Sequence, residues 1–141
     1  MWRFVDKGNR NVCLIPEVTG LLQQRYRETG QREDVFYVQR CYRYERPQKG
    51  RYREFTQIGV ELLGSCDLDR AFDIMCKCFD CVGIAPVYDR SAKRGLSYYT
   101  GDGFEARIES LGAQKQVAGG GAYAEGVGFA IGVDRLLLAM Q

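Results

Sequence analysis

The sequence predicts an α+β domain in which a mostly antiparallel β-sheet is flanked by helices. Three observations predict it. Residues 36–45 and 53–62 alternate between the two sides of an extended chain, as paired strands do. Residues 68–82 show helical spacing of apolar side chains, and residues 98–131 are strand-like and broken by glycines. Because no repeat or linker interrupts the 141 residues, we expect a single domain, residues 1–141.

The overall composition is that of an ordinary globular protein, with 45% apolar and 27% charged residues. No run approaches the roughly 18 apolar residues of a membrane-spanning helix. The first ten residues, MWRFVDKGNR, lack the apolar core of a signal peptide. We therefore expect a cytoplasmic protein that does not contact the membrane.

The chain begins with two short strands and a helix. Strands are expected at residues 2–5 and 12–15. Pro16 then begins a helix, and Gly30 lies beyond its end. Glu17 falls in the first turn, where a carboxylate complements the helix dipole. The apolar stripe expected on this helix comprises Val18, Leu21, Leu22 and Tyr26.

The hairpin that follows has one polar face and a basic loop. Sharing that face are Tyr37, Gln39, Cys41, Arg43 and Glu45 from the first strand, and Phe55, Gln57, Gly59 and Glu61 from the second. Gly59 should leave open space beside Glu61. Residues 40–53 carry six basic side chains and one acidic, which favours an anionic ligand. The pattern predicts either the floor of a small polar-ligand site with a cationic rim, or a solvated hairpin with a basic tip.

A second helix is predicted after Asp67, a residue type that caps helix N-termini, and it should end near Gly83. Its apolar positions are Leu68, Ala71, Phe72, Met75, Phe79 and Val82. The six cysteines of the chain are scattered through strand and helix patterns, which predicts reduced thiols. Three of them, Cys76, Cys78 and Cys81, fall on this helix. Because the chain has no histidine and a helix does not gather that spacing into a tetrahedron, we expect buried cysteines and no metal site.

The remaining chain predicts strands and a short C-terminal helix. Strands are expected at residues 86–89, 98–109, 114–118 and 127–131. Between the last two, the three glycines 119–121 permit a close backbone approach. Gly132 then turns the chain into a helix at 133–140. Such a helix start can hold an anion, and Arg135 lies in its first turn; the alternative is an ordinary surface arginine.

Five stretches, in order, match motifs of one family. RYERPQKGRYREFTQIGVE resembles the second signature motif of the histidyl-tRNA synthetases, which are class II aminoacyl-tRNA synthetases, and GVGFAIGVDRLLL resembles the third. RGLSYYTGDGFE is similar to their histidine-specific RGLDYY segment. IPEVTG stands where they have a Pro-Glu-Gly-Thr loop, and AGGGAY resembles their Gly-Gly-Arg-Tyr segment. Because the matches cover nearly the whole chain, the resemblance implies the catalytic-domain fold of a class II synthetase.

The resemblance also implies a reaction and its residues. A histidyl-tRNA synthetase joins histidine to ATP, with Mg²⁺, and transfers the product to tRNA(His). The implied catalytic residues are Arg43 and Arg94. The implied ATP-binding residues are Arg43, Glu45, Arg51, Phe55 and Arg135, with Phe55 and Arg135 on opposite faces of the adenine. The implied histidine-binding residues are Glu17, Thr19, Gln57, Glu61, Tyr98, Tyr99 and Tyr123, and no metal ligand is implied.

Several departures from the family pattern leave alternatives open. Val18 replaces a glycine in the Glu-Gly-Thr loop, Ser97 replaces the aspartate after RGL, and Ala122 replaces an arginine. The first signature motif, the internal insertion and the anticodon-binding domain are absent, which predicts a minimal core whose contact with the tRNA acceptor end and whose homodimerisation are open. Two other hypotheses remain. The chain is a non-catalytic histidine sensor like the regulatory subunit of ATP phosphoribosyltransferase, or a vestigial fragment.

Overall fold

The computed structural model describes residues 1–92 and 99–141, so Arg94, Ser97 and Tyr98 lie outside the described residues. The strands are β1 (Arg3–Val5), β2 (Asn11–Cys13), β3 (Glu33–Tyr42), β4 (Glu54–Leu63), β5 (Val87–Asp89), β6 (Tyr99–Arg107), β7 (Gln116–Tyr123) and β8 (Gly126–Gly132). The helices are α1 (Thr19–Thr29), α2 (Leu68–Cys81) and α3 (Val133–Ala139), with a 3-10 turn at Glu109–Leu111.

Six strands form one antiparallel sheet in the order β3-β4-β8-β7-β6-β5, and β1 and β2 form a separate two-stranded ribbon. The predicted α+β fold, an antiparallel sheet flanked by helices, is therefore confirmed. The sheet order brings distant segments together, because β8, near the C-terminus, lies between β4 of the hairpin and β7. The hairpin and the C-terminal segment consequently meet at the centre of the sheet.

Helix α2 covers one face of the sheet and builds the core. The Asp67 side chain accepts the N–H of Arg70 at 2.9 Å, which confirms the predicted cap. The buried residues Ala71, Met75 and Phe79 recur every four positions, so they form one stripe of the helix. They pack in a cluster that includes Leu62, Phe104, Val127, Phe129 and Ile131 of the sheet.

Helix α1 differs from the prediction, because it begins at Thr19 and buries polar side chains. Its buried residues are Thr19 and Gln23, whereas Leu21 is 55% exposed. The predicted apolar stripe is wrong at Leu21, whereas Val18, Leu22 and Tyr26 are half-buried. Part of the surface beneath the helix is polar, since Thr19 Oγ1 donates to Glu61 Oε1 at 2.6 Å. Gly30 ends the helix in the left-handed conformation, as its position predicts.

The three-glycine segment lies inside strand β7 and does not follow it. The predicted return strand, 114–118, was too short, since β7 runs from Gln116 to Tyr123. A Cβ at Gly120 would overlap the Gly128 carbonyl of β8 and would lie 2.8 Å from the Phe104 ring. The close backbone approach that these glycines permit is thus an approach of β7 to its own neighbours in the sheet.

The cysteines are free thiols in the structure. Of the three on α2, Cys76 and Cys78 are half-buried and Cys81 is exposed, so the expected burial is wrong for Cys81. Within residues 1–92 and 99–141, no three histidine, cysteine or acidic side chains are grouped as metal ligands would be. No helix in that same part of the chain has the length and apolarity to cross a membrane.

Candidate functional site

A cavity of about 280 Å³ opens on the face of the central strands that α2 does not cover. Successive side chains of β4 point to opposite faces of the sheet, so Glu61 lines the cavity whereas Leu62 belongs to the core cluster. The lining includes ten of the residues predicted from sequence, namely Glu17, Thr19, Arg43, Glu45, Arg51, Phe55, Gln57, Glu61, Tyr99 and Arg135. Tyr123 contacts Glu61 behind the lining. Positions 94 and 98 belong to the segment that the structure does not describe.

Glu61 is the most buried charged residue of this cavity, with 1% of its surface exposed. Its Oε1 accepts the Thr19 hydroxyl at 2.6 Å, and its Oε2 accepts the Tyr123 hydroxyl. Burial raises the pKa of this carboxyl to about 7, although the two hydroxyl hydrogen bonds act in the opposite direction. A Cβ at Gly128 would overlap Oε2, so a glycine on β8 makes room for the carboxylate.

Tyr37 is a lining residue that the alternation places on the polar face but to which the sequence assigns no role. It pairs with Gly59 in the β3–β4 register, and a Cβ at Gly59 would overlap its ring. The expectation of open space above Gly59 is therefore wrong, because the tyrosine fills it. Burial, and next the nearby Glu61 carboxylate, raise the pKa of the Tyr37 hydroxyl above its ordinary value. The alternation along the two strands places Tyr37 and Gly59 on the same face, but only the strand register shows that they lie opposite each other.

Arg43 is anchored just beyond the end of β3. Its Nε donates to the Pro16 carbonyl at 3.0 Å, which ties the hairpin to the segment before α1. Its guanidinium carbon lies 5.0 Å from the centre of the Phe55 ring. One face of Phe55 thus already carries a cation in this structure, and the planar group expected to stack on Phe55 must take the opposite face or displace Arg43.

Arg135 closes the cavity from the start of α3. Its Nε donates to the Gly50 carbonyl at 2.6 Å and its Nη1 to the Gln116 carbonyl at 2.7 Å. Burial, followed by the positive charges of Arg51 and Arg43, lowers the pKa of this guanidinium below its ordinary value. Three arginines therefore share one end of the cavity, and repulsion among them makes that end attractive to a polyanion.

Two further contacts hold the cationic end in place. Glu45 forms an ion pair with Arg51, with 2.6 Å between the oxygen and nitrogen atoms. Asp134, a residue that the sequence did not single out, accepts the N–H of Thr56 at 2.7 Å and so joins α3 to β4. The ion pair therefore braces the hairpin loop across its own two sides, and the Asp134 contact fixes the helix that carries Arg135 to the hairpin.

The sequence matches one known family over most of its length. The profile of the tRNA synthetase class II core domain (G, H, P, S and T) matches residues 2–126. This chain belongs to that family. The resemblance to histidyl-tRNA synthetases is also confirmed, because curated histidine–tRNA ligases match the whole chain.

The class II core aligns with a histidine–tRNA ligase of Methanosphaerula palustris at 27% identity, covering 99% of this chain and 61% of the relative. A histidine–tRNA ligase of Clostridioides difficile is 26% identical, with 100% and 60% covered. A shorter match of 69 residues, to that of Metallosphaera sedula, reaches 51% identity over 46% of this chain and 16% of the relative. The chain thus spans about 60% of the length of the relatives that it matches throughout.

Solved structures show the same class II core fold. The ATP phosphoribosyltransferase regulatory subunit/histidyl-tRNA synthetase of Bacillus halodurans has a TM-score of 0.78 at 14% identity, covering 99% of this chain and 68% of that one. Desulfitobacterium hafniense PylSc, a pyrrolysyl-tRNA synthetase, has a TM-score of 0.73 at 22% identity, with 98% and 53% covered. Apo Staphylococcus aureus histidyl-tRNA synthetase has a TM-score of 0.67 at 21% identity, with 99% and 60% covered.

Proposed function

We propose that this class II core binds histidine and ATP, forms histidyl-adenylate and passes the histidyl group to tRNA(His). One observation carries the proposal: a single cavity has a buried carboxylate with two hydroxyl partners, Glu61, and also an arginine cluster that includes Arg43 and Arg135. The first suits a cationic or N–H-bearing ligand, and the second suits phosphates. Joining an amino acid to a nucleotide requires both in one site.

The amino-acid end is assigned to the residues around Glu61. The imidazole of histidine has a ring N–H, which a carboxylate held by Thr19 and Tyr123 can accept. A buried acceptor of this kind rejects an apolar side chain of similar shape, because the carboxylate would then lack its partner. The ammonium and backbone end of histidine is assigned to Glu17, Thr19 and Gln57, and its ring to Glu61, Tyr98, Tyr99 and Tyr123.

The ATP end is assigned to the arginine cluster, with Glu45 and Phe55. In the reaction, a carboxylate oxygen of histidine forms a bond to the α-phosphorus, and the bond from that phosphorus to the bridging oxygen breaks, which releases pyrophosphate. Negative charge accumulates on the oxygens around this phosphorus, and Arg43 and Arg94 are assigned to stabilise it. Arg51 is assigned to the outer phosphates. Phe55 and Arg135 are assigned to the two faces of the adenine.

Mg²⁺ is expected to enter with ATP. The carboxylate at the cationic end, Glu45, is paired with Arg51, and the described residues contain no cluster of metal ligands. This donor set fits an ion held mainly by the ATP phosphates and water, which is how Mg²⁺ commonly binds in nucleotide sites. The ion would supply charge neutralisation of the outer phosphates.

Basic side chains of the hairpin loop, such as Arg46 and Lys49, are available for the acceptor end of the tRNA. The chain aligns with its full-span relatives over about 250 positions although it has 141 residues, which supports an internally shortened core. A cytoplasmic location would accord with the function of a synthetase.

A histidine sensor without catalysis is the second hypothesis, and the site does not favour it. Such a protein needs the pocket around Glu61, but it does not need Arg51, Phe55 and Arg135 gathered at one end of the same cavity. The likeness to the Bacillus halodurans structure shows a shared fold and does not separate the two functions.

Calorimetry with histidine, with ATP and Mg²⁺, and with both together tests the proposal, followed by histidine-dependent exchange of pyrophosphate into ATP. Binding that is coupled between the two ligands, with exchange, is the expected result. Histidine binding alone would identify a sensor, and no binding of either ligand would identify a vestigial site. Glu61→Ala should weaken histidine binding and spare ATP binding. Glu54→Ala is the matched control, because this exposed carboxylate lies on the same strand.

A further inference from the structure

One row of residues across the sheet carries a single large side chain on the cavity face. The four residues paired at this level are Tyr37 of β3, Gly59 of β4, Ala130 of β8 and Gly119 of β7. Paired residues of neighbouring strands point to the same face of a sheet, and Tyr37, Gly119 and Ala130 line the cavity. Because the other three residues have only one side-chain carbon among them, Tyr37 determines how far this row rises into the cavity.

The Tyr37 side chain lies across the neighbouring strand. The three atoms nearest to a Cβ built at Gly59 are the Cζ, the hydroxyl oxygen and the Cε1 of Tyr37. The far end of the tyrosine therefore rests on the β4 backbone, in the space that any larger residue at position 59 would take. A ring supported in this way cannot move further into the sheet, so it forms a fixed floor for the cavity.

This floor borders the carboxylate that is assigned to the amino-acid side chain. Glu61 is two residues beyond Gly59 on β4, so it points to the same face. Burial, and next the Glu61 carboxylate, raise the pKa of the Tyr37 hydroxyl, an electrostatic effect that requires the two groups to be near each other. A ligand ring that donates an N–H to Glu61 therefore lies beside Tyr37.

The shape of an imidazole ring decides which part of it would meet this floor. Carbon 2 lies between the two ring nitrogens, so a substituent on it enters the surroundings of Glu61 whichever nitrogen donates to the carboxylate. The two oxygens of Glu61 are already approached by the hydroxyls of Thr19 and Tyr123. A substituent on carbon 2 is left with the side on which Tyr37 rests, and there it meets the ring.

We propose that Tyr37 is a specificity-determining residue, because its ring, seated on Gly59, limits the amino-acid end of the cavity to the depth of an unsubstituted imidazole. The inference rests on the proposed function, since it requires the histidine ring to face Glu61. It assigns a selection by size to a pocket whose other residues are assigned by their hydrogen bonds. One additional methyl group pressed against a supported ring should weaken binding about tenfold or more.

Calorimetry with histidine and with 2-methylhistidine tests this role. The second ligand retains both ring nitrogens, the ammonium group and the carboxylate, and comparing the same two ligands across variants cancels their difference in basicity. The unaltered protein should bind 2-methylhistidine about tenfold or more weakly than histidine, and in Tyr37→Val the two affinities should agree within about threefold. Tyr37→Phe retains the ring and should retain the discrimination.

Tyr42→Val is the matched control, because Tyr42 lies on the same strand but on the opposite face, and it should discriminate as the unaltered protein does. An unaltered protein that binds the two ligands equally would overturn the proposal. A folded Tyr37→Val protein that still rejects 2-methylhistidine would also overturn it, as would a Tyr37→Phe protein that accepts it. Circular dichroism checks the fold, and Tyr37→Leu, which retains more of the packing, decides if Tyr37→Val does not fold.

A rescue provides a second measurement. Since the atoms nearest to a methyl group at position 59 belong to Tyr37, adding Tyr37→Val to Gly59→Ala should restore most of the histidine affinity that Gly59→Ala loses. Equal losses in the single and the double variant would show that the ring is not the floor.

Exchange of pyrophosphate into ATP, measured separately, distinguishes this inference from the proposed function. Histidine binding with the expected discrimination but without exchange would overturn the proposed reaction and leave the role of Tyr37 standing. Exchange by a protein that binds the two ligands equally would overturn the role of Tyr37 alone. Absence of histidine binding would overturn both.

Discussion

Tyr37 lies directly across from Gly59 in the β3–β4 register, and its ring occupies the space that a side chain at Gly59 would need. The pair forms part of the floor of the cavity beside Glu61, and Tyr37 lines that cavity. The glycine is therefore required by a neighbouring aromatic ring and not by an open ligand space. This relationship makes the floor sensitive to a single methyl group.

Gly59→Ala should displace the Tyr37 ring towards the cavity. We expect histidine binding to weaken about tenfold or more and the free energy of unfolding to fall by about 1–3 kcal/mol, as overpacking usually costs. Calorimetry and urea unfolding measure the two effects. Gly101→Ala is the control, because a Cβ there would lie 3.6 Å from Ala122 and fits. Unchanged histidine affinity in Gly59→Ala would remove Tyr37 from the proposed site.

Glu61 should make stability depend on pH. Burial raises its pKa from 4.5 to about 7, so below pH 4.5 the carboxyl is protonated in both the folded and the unfolded chain. As pH rises from about 4.5 to about 7, the unfolded chain releases this proton while the folded protein keeps it, so the stability falls over that range and is level above it. Glu61→Gln removes that titration, and relative to the unaltered protein it should gain up to about 3 kcal/mol between about pH 4 and pH 8.

Urea unfolding at a series of pH values measures this difference, with Glu54→Gln as the exposed control on the same strand. The glutamine variant keeps a hydrogen-bonding group for Thr19 and Tyr123, so its fold should survive. Parallel pH profiles for Glu61→Gln and the unaltered protein would contradict the raised pKa.

Arg43→Ala and Arg94→Ala should lower the rate of histidine-dependent pyrophosphate exchange by about a hundredfold or more, because each removes positive charge from the proposed transition state. Arg94 lies outside the described residues, and its role stays a prediction from the sequence. Exchange kinetics measure the effect, and Arg25→Ala, an exposed arginine of α1, is the control. A normal rate for either variant would exclude that arginine from the mechanism.

Arg135→Lys should weaken ATP binding about tenfold while keeping the positive charge. The guanidinium donates to two carbonyls, Gly50 and Gln116, through separate nitrogen atoms, and a lysine amine cannot reproduce that fork. Calorimetry with ATP and Mg²⁺ measures the loss, and Arg25→Lys is the control. Equal ATP affinity in the two lysine variants would show that ATP binding does not need the guanidinium geometry of Arg135.

The sequence predicted much of the fold because its local patterns agree with the packing. The stripe of Met75 and Phe79 and the cap at Asp67 are local features, so α2 could be recognised without knowing what it covers. The stripe of α1 could not, because the polar surface beneath it, centred on Glu61, is formed by a distant part of the chain. Whether the buried face of a helix is apolar or polar depends on the surface that packs against it.

Most residues that line the cavity could be predicted from the sequence motifs, but the contacts among them could not. The motif positions brought Glu61, Arg43 and Arg135 to one cavity, as the resemblance implied. Tyr37 was missed because its importance depends on the register between two strands, which alternation alone leaves open. Asp134 was missed because its partner is a backbone N–H, which no side-chain pattern reveals.

The two faces of β4 have a consequence for how the chain can change in length. Leu62 and Glu61 are adjacent in sequence, yet Leu62 packs in the hydrophobic core and Glu61 lines the charged cavity. A single inserted or deleted residue in this strand would rotate every later side chain by half a turn and send carboxylates into the interior. Length variation should therefore be confined to the loop between the hairpin strands, where an added residue changes reach and leaves both compartments intact.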